Sequence, residues 1–168
     1  MGELDEINYL IGNSLERYSY LVERNITIPN VQYLSYVRNP QILRARNLFA
    51  ILEVPGNVLE NATAKHFFSF VRKSLLDKYG DAFLWKELEL IFVVFCGNQL
   101  YEVIKNDEGR SVDVASFSLN AMVGSCFINK VTFDYFAHST WGLYFSGDHF
   151  NVVREIVEQW CEEKKKTL

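Results

Sequence analysis

Several signatures are missing from this sequence, and each absence removes a class of function. There is no GxxxxGK followed by Ser or Thr and no GxGxxG, and the nine glycines are scattered. Phosphate-cradling loops of those types are therefore excluded. Three prolines leave no room for a proline-rich linker. Cys96, Cys126 and Cys161 are widely spaced, with no CxxC and no Cys/His pair at zinc spacing. No metal site and no cofactor are expected. Each cysteine lies beside apolar residues, so buried free thiols in a reducing compartment are expected.

Positive charge is also in short supply. Seventeen Lys and Arg face twenty-one Asp and Glu, for a net charge of -4. Binding to nucleic acid or to anionic membranes needs clustered cations, so neither is expected. Arg38, Arg44 and Arg46 form the one basic cluster in the body of the chain and read as a solvated loop face. Lys164, Lys165 and Lys166 read as a helix end, where positive charge suits the helix dipole. The longest strongly apolar run, Leu88 to Cys96, is interrupted by Glu89 and is too short to span a bilayer. The start, MGELDEINYL, is acidic where a secretory signal needs positive charge. The expectation is a cytoplasmic protein.

What the chain does hold is apolar and aromatic. Its 168 residues are 49% hydrophobic, and they include thirteen Phe, nine Tyr and three Trp. That is enough apolar surface to offset chain entropy in one ordinary domain.

Periodicity sets out the elements. Leu4, Ile7, Ile11, Leu15, Tyr18 and Val22 recur at helical steps, which predicts a first helix ending near Asn25. Val31 to Val37 partly alternates, as a short edge strand would, and Pro40 breaks it. Leu48 to Val54 reads as a buried strand closed by Pro55-Gly56. A second helix is predicted from Asn61, an N-cap residue type, to Tyr79. Its stripe is Ala64, Phe67, Phe68, Val71, Leu75 and Tyr79, with His66 pointing off it and Gly80 ending it. Glu87 to Cys96 is the clearest strand and reads as central, covered on both faces. Gly97-Asn98 then suits a hairpin turn into a strand from Leu100 to Ile104, followed by a turn at Asn106 to Gly109. Val112 to Phe127 supports strand or helix. Val131 to Phe136 and Trp141 to Phe145 pair as a hairpin through Ala137 to Thr140. A last helix runs from about His149 to Lys165 and buries Phe150, Val153, Ile156, Val157 and Trp160. The order predicts an α+β fold: a mixed, largely antiparallel sheet of about five strands, with three amphipathic helices packed on one face.

Candidate chemistry is sparse. Asp81, Glu87 and Glu89 come nearest to a metal-dependent nuclease set, because Glu87 and Glu89 share a strand face. No lysine follows on that strand, and both glutamates read as marking its solvent face. A catalytic thiol needs an activating base. Cys96 and Cys126 are the candidates, with His66, His138 and His149 the available imidazoles. His138 and His149 flank one predicted strand and share a sheet end with Asp148, a group of the acid–base type. The density of aromatics from Phe133 to Phe150 puts rings on both faces of the predicted hairpin. One face packs on the core, and the other needs a helix, a partner or a ligand to cover it.

No catalytic residue is assigned on these grounds. Tyr135, His138, Trp141, Tyr144, Asp148 and His149 are the expected ligand or partner surface. The leading expectation is a non-enzymatic protein-interaction module, a homodimer that binds a protein partner through an aromatic sheet or helix surface, since interfaces favour Tyr, Trp and Phe. The rivals are a small hydrolase using Cys96 or Cys126 with a histidine, and a small-molecule binder with an aromatic pocket.

Overall fold

Residues 48 to 52 carry apolar side chains at every position, and this is the key to the architecture. Leu48, Ala50 and Leu52 are buried on one side of their strand, and Phe49 and Ile51 on the other. A strand apolar on both faces needs cover on both, as parallel strands do. In the computed structural model, which describes residues 1–38, 45–79, 88–109, 121–139 and 148–168, that cover is two layers of helices.

The elements are α1 (Glu3–Leu15), a 3-10 turn (Glu16–Tyr18), β1 (Leu21–Val22), β2 (Val31–Arg38), β3 (Ala45–Glu53), α2 (Asn61–Tyr79), β4 (Leu88–Cys96), α3 (Asn98–Asn106), β5 (Ala121–Asn129), β6 (Tyr135–Ser139) and α4 (Asp148–Lys165). The six strands lie in sequence order. The pairs β1–β2, β2–β3 and β5–β6 are antiparallel, whereas β3–β4 and β4–β5 are parallel. The fold is α+β with a mixed sheet, as the periodicity predicts, and the described residues hold one more strand and one more helix than the approximate count.

The helices do not share one face. Parallel neighbours need crossovers, and α2 and α3 supply them. Both crossovers step the same way across the sheet, so a common handedness sets both helices on the same side. There they bury Ala64, Phe68, Val71, Leu75, Leu100, Tyr101 and Ile104 against Leu48, Leu90, Phe92, Val94 and Phe127. Helices α1 and α4 cover the other side, with Ile7, Ile11, Leu15, Phe150, Val153, Val157 and Trp160 packed on Phe49, Ile91, Val93, Phe95 and Ile128.

Three local expectations are corrected. The first helix stops at Leu15, because Ser19 takes a left-handed conformation after the 3-10 turn and the chain turns into β1. Gly97-Asn98 is no hairpin turn. Gly97 caps α3, and Leu100, Tyr101 and Ile104 fall on one helical face, since the parallel pairing of β4 and β5 requires a crossover there. The predicted hairpin is displaced: Ala137 to Ser139 lie inside β6, which pairs with β5. Residues 130–134 make the turn, held by the Asn129 side-chain oxygen, which accepts the Val131 N–H at 2.9 Å. The second hairpin strand, Trp141 to Phe145, lies outside the described residues.

Candidate functional site

Strand pairing decides which expected site residues can meet. His138 is opposite Ser125, while Cys126 is opposite Ala137. Alternation then puts His138 on the α2/α3 side and Cys126 on the α1/α4 side. Cys96 is opposite Asn129, four residues along β5 from Ser125, and β5 lies between β4 and β6, so it is about 16 Å from the His138 position by strand rise and strand spacing. No Cys–His138 dyad forms. The thiols are buried as well. Burial pushes Cys96 and Cys161 up to about 12 and raises Cys126 too. These are protonated, packing thiols at neutral pH.

The expected partner surface is likewise divided. Tyr135 is half-buried among the α1/α4 residues, and burial, helped by a hydrogen bond to Glu158, pushes its phenol up to about 12. His138 is half-buried on the opposite side, with its ring packed on Gly109. Gly109 has φ +78°, and a Cβ there would lie 2.6 Å from the His138 ring, so only glycine fits. Asp148 is exposed at the first turn of α4. His149 is half-buried in the α4 layer. The group His138, Asp148 and His149 therefore does not assemble, because the sheet separates the two histidines. Trp141, Tyr144, Asp81, Glu87 and Arg44 lie outside the described residues.

His149 instead joins a polar group that periodicity does not show. Its ring stacks on Tyr18 with centroids 3.8 Å apart, and its Nδ1 is 2.9 Å from the Tyr20 hydroxyl. Asn47 and Glu89 are in register on β3 and β4. The Asn47 amide donates to Glu89 Oε2 at 2.6 Å. Burial, followed by the negative charge of Glu89, raises the Tyr20 phenol and keeps it a hydrogen-bond donor. Glu89 thus does not mark a solvent face: it is half-buried beneath the α1/α4 layer. Among the described residues, no three His, Cys, Asp or Glu side chains are placed to hold a metal ion.

A second feature lies on the other side of the sheet, where β3 leads into α2. Pro55, Asn57 and Val58 from the turn, and Ala62, Thr63, His66, Phe67 and Phe70 from α2, line an apolar cleft of about 600 Å³. Most of this wall is itself solvent-exposed, so the cleft is an open groove. Phe70 is 53% exposed and the adjoining Leu59 is 39% exposed. The sequence signal was Phe70 itself, the one aromatic of α2 that falls off its buried stripe.

No helix among the described residues is long and apolar enough to cross a membrane. The chain matches no protein-family model, no curated protein and no solved structure.

Proposed function

We propose that this chain is a protein-interaction module that receives a partner in the groove between residues 55 and 70. The observation that carries this reading is the exposure of Phe70 beside Phe67, Val58 and Pro55. An aromatic side chain half in water at the lip of an apolar groove is the kind of anchor that interfaces use. The openness of the groove suits a polypeptide better than a small molecule, which is held by an enclosed pocket. The rival reading of a thiol hydrolase draws no support from three buried thiols with raised pKa values. The aromatic surface thereby moves from the hairpin, where it was expected, to α2.

Site-directed photo-crosslinking tests the reading. The native thiols are buried, so an Asn57→Cys variant takes up a benzophenone maleimide selectively at the groove. Irradiation in an extract of the source cells is expected to yield discrete protein adducts. A Phe70→Ala change in the same background is expected to reduce them at least tenfold. Adducts that are absent, or indifferent to Phe70, would overturn the reading. The expected homodimer belongs to the same proposal, and a strict monomer in sedimentation velocity at micromolar concentration removes that part of it.

A further inference from the structure

We draw no further inference here: the strongest candidate, the apolar groove between the turn at Pro55 to Val58 and the outer face of α2, belongs to the site already described, and nothing in the structure shows what covers it.

Discussion

The two sides of the sheet solve the same packing problem to different degrees. On the α1/α4 side, Trp160 is 1% exposed and meets Phe95 and Phe133 edge-on, with centroids 6.0 and 5.6 Å away. Ion pairs from Lys164 and Lys165 tie α4 to α1 and to the 130–134 turn. On the α2/α3 side the apolar stripe is buried too, with Phe68 edge-on to Phe127 at 5.9 Å. The outer face of α2, however, keeps Phe70 in water above an unfilled groove. The α1/α4 side leaves Tyr9 exposed as well, at 60%, but Phe70 differs in standing at the lip of an apolar groove. On the α2/α3 side that aromatic is the surface the interaction reading above assigns to a partner.

The largest expected effect tests the closed side. Trp160→Ala removes the ring that Phe95 and Phe133 pack against and should cost about 3–5 kcal/mol in urea unfolding. Phe133 sits at φ 54°, a conformation costly for a bulky residue, and burial against Trp160 is what holds it there. The same truncation at Phe70 should change stability by no more than about 0.5 kcal/mol. A Phe70→Ala loss comparable to that of Trp160→Ala would mean that Phe70 is a core residue, and the contrast between the sides would collapse.

Glycine substitutions give an intermediate test. A Cβ at Gly124 would lie 2.6 Å from the Phe150 ring, so strand β5 and helix α4 approach as closely as glycine permits. Gly124→Ala should cost about 1–3 kcal/mol, the usual range for overpacking. Gly56, in the turn that leads to the groove, has nothing within 4 Å of its added Cβ. Gly56→Ala should fall within about 0.5 kcal/mol of the parent. Equal losses at the two positions would show that the groove side is packed as tightly as the other.

Much of this contrast was legible in the chain, and the reason it was not all legible is physical. Helix α2 runs from Asn61 to Tyr79 and β4 ends at Cys96, as periodicity predicts, because each is long and its pattern is dictated by burial. Helix α3 was misread because five residues, Leu100 to Ile104, satisfy a strand pattern and a helix pattern alike. Only the parallel pairing of β4 with β5, a non-local fact, decides between them. The turn before β6 was misplaced because the left-handed Phe133 is held by Trp160, far away in sequence. The polar group around His149 had no local signal, since Asn47 and Glu89 become neighbours only through strand register. His138 and His149 read as companions from their spacing, yet the sheet lies between them. The groove was half legible: His66 was placed at the surface correctly, but nothing in the pattern showed that the turn at Pro55 to Val58 folds back beside Phe67 and Phe70.

The smallest expected effect concerns acid. A hydrogen bond from Lys164 holds the Glu6 carboxyl below its usual range, and the Thr132 hydroxyl and then Lys165 do the same for Asp134. A carboxyl with a lowered folded-state pKa binds its proton later than the unfolded chain does. Its contribution is therefore fully present above the ordinary carboxylate range and is lost as pH falls through that range to the lowered values. Both side chains are partly exposed, 34% for Glu6 and 48% for Asp134, so solvent screens the pairs and each should supply less than about 1 kcal/mol. Unfolding free energies measured at pH 7 and at pH 3.5 should show the parent losing more stability than a Glu6→Gln/Asp134→Asn variant. Identical losses would show that these pairs do not fasten the α1/α4 layer and that its closure is entirely apolar. The groove side offers the opposite control. Lys65 and Lys73 are not held by carboxylates among the described residues, so exchanging both for Gln should leave the acid limb of the stability profile unchanged.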